Sequence, residues 1–209
     1  MRMTLRPLIC LLATIVLSTG ALASNPFLAA PDDQPVSTKF KGTEWGDEIG
    51  RKDLPLSARV VTMRVAQMPW GAVFKISFED IASRATQRRS LPPLYLVATD
   101  SEIALLDAEK PAEAIRRLSA LGKAPRFEPG AVYGVSQGAR QHKDGALAES
   151  TVEVKGDHCT YQWSHNSGHF TTVVWKKGVG LIEYAQGRGA HADGYRLKRE
   201  FVPPSKRKN

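Results

Sequence analysis

Apolar and polar side chains alternate along much of this chain. In "AVFKISF", from Ala72 to Phe78, Phe74, Ile76 and Phe78 fall on one side of an extended backbone and Lys75 and Ser77 on the other, the period of a half-buried strand. Comparable short runs lie at Arg59 to Ala66, Leu94 to Thr99, Glu102 to Leu106, Ala131 to Ser136 and Thr151 to Val154, and a closing series extends from His158 to Phe201. Thr99-Asp100-Ser101 predicts a tight hairpin between two of these runs. Residues 79–93, "EDIASRATQRRSLPP", keep neither the strand nor the helix period, since Ile81 and Ala85 give only a thin apolar stripe. One stretch does change to helical spacing: Pro111 opens it, Glu113 lies in its first turn, Arg116 and Arg117 lie toward its end, and Gly122 stops it. Its apolar positions Ala114, Ile115, Leu118 and Leu121 form one face suited to covering a sheet. Many short strands with a single helix predict a mainly β (α+β) fold: an antiparallel, meander-rich sheet, barrel-like or a sandwich, with one short helix packed on it.

The stretch from Asp157 to His169, "DHCTYQWSHNSGH", holds three of the five histidines and the second of two cysteines. Asn166-Ser167-Gly168 reads as a three-residue hairpin loop, with glycine at the position that takes a left-handed conformation. That loop sets His165 opposite His169, Trp163 opposite Thr171, Tyr161 opposite Val173 and Cys159 opposite Trp175, all on one face. This face is the more apolar and is assigned to the core. A two-residue turn at Lys177-Gly178 would continue the ladder with Trp175 opposite Gly180, Val173 opposite Ile182 and Thr171 opposite Tyr184. In this geometry His158 projects from the opposite face to His165, and Cys159 lies roughly 20 Å along the strand from it at ~3.3 Å per residue. One tetrahedral metal cannot collect them, because its ligands lie within about 2.0 to 2.3 Å of the ion. Only the pair His165 and His169 remains as candidate metal ligands, with His191 or Asp193 as a further contributor from the loop "AQGRGAHADG"; the expectation is no metal and no cofactor.

The chain opens with two basic residues, Arg2 and Arg6, an apolar run from Leu8 to Leu17, and Ala21-Leu22-Ala23 ahead of Ser24, which is the form of a cleaved secretory signal peptide. The organisation that follows is a signal peptide at 1–23, an extended lead-in at 24–38, a single β-rich domain at 39–202 and a basic flexible tail at 203–209. The apolar run is shorter than the ~20 residues of a membrane span, so the mature chain is expected to lack a transmembrane segment and to be exported, periplasmic or secreted. Cys10 goes with the signal peptide, leaving Cys159 with no disulfide partner in its own chain. The net charge of +8 falls to 27 basic against 21 acidic residues without Arg2 and Arg6, and the last fifteen residues alone hold six basic side chains and one acidic. The excess describes a tail and not a nucleic-acid-binding face.

Gly134-Val135-Ser136-Gln137-Gly138 has the form G-x-S-x-G, but that motif places a nucleophile only between a strand and a helix of an α/β sheet, and no such helix follows. Cys159, facing Trp175, reads as a small core residue. The functional expectation is therefore an exported, non-enzymatic binding or envelope-associated protein, with a small ligand or an anionic envelope component as partner. Arg188, His191, Lys206, Arg207 and Lys208 are the candidate binding residues. A hydrolase, serine-type at Ser136 or metal-assisted at His165 and His169, is the alternative.

Overall fold

A computed structural model of the chain describes residues 25–28, 34–46, 53–83, 90–106, 109–127, 132–134, 138–189 and 193–201. The fold is mainly β, as the alternation predicts, with one short helix. The strands are β1 (Val36–Trp45), β2 (Leu54–Met68), β3 (Gly71–Ser83), β4 (Leu94–Ala98), β5 (Glu102–Leu105) and β6 (Val132–Gly134) in the first half. The second half supplies β7 (Gly138–Asp144), β8 (Ala148–Lys155), β9 (His158–His165), β10 (Phe170–Lys176), β11 (Gly180–Gly187) and β12 (Gly194–Arg199). The helix α1 spans Pro111–Ser119, between β5 and β6.

All pairings are antiparallel and join the strands into one sheet, in the order β6-β5-β4-β3-β2-β1-β12-β11-β10-β9-β8-β7. The first half meanders outward from β1 to one edge, and the second meanders back from the other edge until β12 pairs with β1. This order dictates the shape. Laid flat, the edge strands of a twelve-stranded sheet would stand roughly 50 Å apart at ~4.8 Å per strand. The chain passes from β6 to β7 across only residues 135–137, and those four steps reach at most about 14 Å. The sheet must roll until its edges meet, and β6 does come into contact with β8 and β9.

The concave side of the roll is the main core. Phe40, Leu56, Val60, Phe74, Ile76, Leu96 and Ile103 from the first half meet Val152, Cys159, Tyr161, Val173, Trp175 and Leu197 from the second, all buried. On the convex side a smaller cluster of Met68, Val73 and Val97 lies beneath Ile115 and Leu118 of the helix, so these positions of the expected face cover the sheet, whereas the helix ends at Ser119 and Leu121, beyond it, is 40% exposed.

The end of the roll at the β4–β5 and β10–β11 turns is filled by the segment Asn25–Leu28. Asn25 donates its amide to the carbonyl oxygens of Thr99 and Glu102, at 2.9 and 3.3 Å, and its side-chain oxygen accepts from Phe27 N–H at 3.0 Å. Phe27 is wholly buried under Lys177, whose ammonium lies 5.6 Å from the ring centre. The expected lead-in thus supplies core residues, and β1 begins inside it at Val36. Thr99 shapes the predicted hairpin, its hydroxyl oxygen accepting from the N–H groups of Ser101 and Glu102.

The β9–β10 hairpin has the register its loop predicts. Trp163 faces Thr171, Tyr161 faces Val173 and Cys159 faces Trp175, with Gly168 at φ 84°. The next hairpin departs from expectation. Gly178 and Gly180 both take positive φ, 68° and 90°, the turn carries one residue more, and a shift between Val174 and Trp175 sets Trp175 opposite Leu181 and Val173 opposite Tyr184. Leu181 and Tyr184, not Ile182, therefore enter the core. A second irregularity accounts for the lost period at the start of residues 79–93, where β3 runs on to Ser83; residues 84–89 lie outside the described residues. Asp80 adopts φ 49° where the β2–β3 register slips between Ser57 and Arg59; after this bulge Ile81 packs against the core. At the far end, Tyr195 and Leu197 face inward, while Phe201 is 63% exposed. It lies beyond the last strand, against the Arg199 guanidinium.

Candidate functional site

The seam where the rolled edges meet leaves the larger of two notable cavities, about 550 Å³ in volume. Its size lies within the range of small-molecule sites, about 300 to 1,000 Å³. One wall is Glu102 of β5 with Arg126 and Phe127, which follow the helix; the other comes from β7 and β8. Register assigns the second wall its chemistry. Arg140 is paired with Val152, and Val152 with the buried Tyr161, while His142 is paired with Ser150, and Ser150 with Trp163. Arg140, His142, Ser150 and Val152 therefore project from the concave face of the edge. The charge of Arg140 is felt as deep as Cys159, whose thiol is nevertheless pushed up to about 11 by burial.

Three features of this cleft carry chemistry. Arg126 and Arg140 approach it from opposite walls, and neither forms an ion pair with a described residue. Ser150 is only 3% exposed and lines the cleft, yet its hydroxyl has no hydrogen-bond partner among the described residues. Phe127 and Val152 give the cleft an apolar portion, with Trp163 across the strand from Ser150.

The second cavity, about 200 Å³, opens at the other end of the roll from the Asn25–Leu28 segment, and Gln186, Arg188, Asp193 and Tyr195 line it with Leu91 and Pro92. Tyr195 donates to the Gln186 side-chain oxygen at 3.2 Å. Beside it on β1 the buried Glu44 accepts from Ser83 Oγ at 2.6 Å. Burial raises the Tyr184 hydroxyl above its ordinary range, an effect opposed by its hydrogen bond with Tyr195 and by the charge of Arg188. Arg188, a candidate from the sequence, thus lines a cavity, but not the larger one. His191, Ser136, Lys206, Arg207 and Lys208 lie outside the described residues, as do residues 1–24 and 202–209, where the signal peptide and the basic tail were expected.

His165 and His169 do meet at the hairpin tip, ring centres 6.2 Å apart. Ser167 stands between them, its Oγ 2.6 Å from Nδ1 of each ring. Among the described residues no group of three or more potential ligands could hold a metal ion. The chain matches no protein-family model and no curated protein.

The cleft residues Arg126, Arg140, His142 and Ser150 were not candidates from the sequence. "GARQHKD" does alternate, with Arg140 and His142 on one side, and this was the available signal. What it lacked was an apolar side, because β7 is an edge strand whose concave face is covered by a cleft and not by core.

Proposed function

We propose that this is an exported, non-enzymatic binding protein that holds a small ligand in the cleft between its rolled edges. The observation that carries this reading is a cavity of about 550 Å³ on which Arg126, Arg140, His142 and the little-exposed Ser150 converge with the apolar Phe127 and Val152. Convergent polar groups on a largely pre-formed, partly apolar cavity are what ligand sites require. Export is supported by the form of the first 23 residues. Cleavage after Ala23 would leave the whole Asn25–Leu28 segment available to fill its end of the roll.

The test uses Trp163 as donor and the neutral dye N-phenyl-1-naphthylamine or its sulfonated analogue, 8-anilinonaphthalene-1-sulfonate, as acceptor. Saturable energy transfer to at least one dye is expected, and it should be lost in Ser150→Phe, which projects a ring into the cleft. His142→Trp on the rim serves the same purpose if the first variant melts at a lower temperature. Absence of saturable binding by both dyes, or binding unchanged in both variants, would reject the cleft as a ligand site. The hydrolase alternative requires covalent labelling of Ser136 by a fluorophosphonate.

A further inference from the structure

We infer that the ligand of the seam cleft is an anionic amphiphile, whose oxyanion sits between Arg126 and Arg140 and whose apolar body lies along Phe127 and Val152. The inference rests on the reading of the cleft as a ligand site and adds the chemistry of its occupant.

The charge balance of the cleft points to an anion. Arg126, Arg140 and His142 supply donors, while Glu102 is the single carboxylate among the described lining residues. Guanidinium groups do not lose their charge, and they bind carboxylate and phosphate oxygens by paired hydrogen bonds. Two of them on opposing walls, exposed and without an ion pair among the described residues, leave the cleft with an excess of positive charge that an anion would balance. Glu102 limits where that anion can sit, displacing it toward the β7 wall. Ser150, at 3% exposure, is then placed to donate its hydroxyl to the same oxyanion.

Volume points to the apolar body. A water molecule accounts for about 30 Å³ of liquid, so a bare phosphate, equivalent to a few waters, would leave most of a cavity of about 550 Å³ unfilled. The remaining lining includes Phe127 and Val152, and the latter belongs to the main core. An alkyl or aromatic body bearing the oxyanion satisfies both parts of the surface, whereas a free inorganic ion satisfies only one.

The two dyes share one aromatic body and differ by a sulfonate, so they separate the charge from the cavity. In the full mature protein, the sulfonated dye should bind at least ~10-fold more tightly than the neutral one. Arg126→Gln and Arg140→Gln should each weaken the sulfonated dye by about 10-fold, the effect of one charge-assisted hydrogen-bonding group, and leave the neutral dye within about twofold. Dodecyl phosphate should displace the sulfonated dye, while inorganic phosphate at the same concentration and ionic strength should not. If the neutral dye binds equally well, or neither arginine substitution matters, the anionic inference fails; if Ser150→Phe still excludes both dyes, the cleft reading survives. Equal displacement by inorganic phosphate overturns the amphiphile in favour of a simple oxyanion site. If Ser150→Phe and His142→Trp both leave both dyes bound, the cleft reading itself fails and takes the inference with it.

Discussion

Cys159 and Trp175 face each other directly across β9 and β10, and neither exposes any surface. The contact explains why the thiol is inert: burial penalises the thiolate and raises its pKa from 9.0 to about 11, against a smaller opposing influence of Arg140. A thiol with a folded pKa above its unfolded value contributes stability that is fully present below about pH 9 and is lost as pH rises through about 11. Melts in urea should therefore show a decline between those values that Cys159→Ala makes shallower, leaving the part due to the raised Tyr184 hydroxyl. In native protein at pH 8, a thiol-specific chromogenic reagent should react at the rate of global unfolding; rapid stoichiometric labelling would show that the site is open.

The same register distinguishes neighbouring side chains. Trp175 lies in the core, and its truncation to alanine should cost about 3 to 5 kcal/mol. Gln162, exposed on the other face of β9, should tolerate alanine within about 0.5 kcal/mol. Trp163 packs only partly against the core and should fall between the two. Equal losses for Trp175→Ala and Gln162→Ala in denaturant melts would contradict the pairing.

Local signals made this hairpin legible. Asn166-Ser167-Gly168 determined the loop, and strict alternation carried the register from His165 to Cys159. The helix was legible for a similar reason, since Pro111 and Gly122 punctuate an amphipathic run. β1 was not, because its concave positions Phe40, Gly42 and Glu44 hold one apolar residue among three, and their burial depends on pairing with β12, far away in the chain. The bulge at Asp80 and the extra residue after Lys177 each shift a register by one position, a change no hydrophobic pattern announces beforehand. The seam cleft was hidden more deeply still. Arg126 and Arg140 come to line one cleft only because a short link forces β6 and β7 together, a consequence of strand order and not of any local pattern.

Gly42 lies where β1 and β12, from the two halves of the sheet, pair. A Cβ there would lie 1.7 Å from the carbonyl oxygen of Arg196, an overlap with backbone that no rotamer relieves. Gly42→Ala should destabilise by more than about 2 kcal/mol or prevent folding altogether. Gly122, with nothing within 4 Å of an added Cβ, provides the control: alanine there should change the melting temperature little. Similar melting temperatures for the two variants would mean that β1 and β12 are not paired as described.

Phe27 ties the start of the described chain to the opposite end of the roll from the smaller cavity. It is fully buried, so Phe27→Ala should cost about 3 to 5 kcal/mol. Asn25→Ala should cost about 1 to 3 kcal/mol, because it removes the partners of buried backbone groups at Thr99 and Phe27. N-terminal sequencing of exported protein should begin at Ser24. A stability unchanged by both substitutions would make the segment a passive lead-in after all.

The histidine tip is expected to be structural. The N–H of Ser167 donates to Nδ1 of His165 at 3.1 Å, which makes that nitrogen an acceptor and leaves the ring proton on Nε2. The Ser167 hydroxyl is engaged with Nδ1 of both rings, so the two nitrogens nearest each other are already committed to closing the turn. A metal ligated through the two Nδ1 atoms would have to displace the hydroxyl and the turn hydrogen bond together, one ligated through Nε2 would not, and in either case the pair offers only two of the four ligands that a structural zinc site requires. Purified protein should therefore contain no stoichiometric zinc or copper by elemental mass spectrometry. Ser167→Ala should loosen the tip, seen as faster amide exchange at Gly168, without changing metal content. One metal per chain that disappears in the His165→Ala/His169→Ala double variant would instead make the tip a ligand site and restore the metal-assisted hydrolase as a reading to pursue.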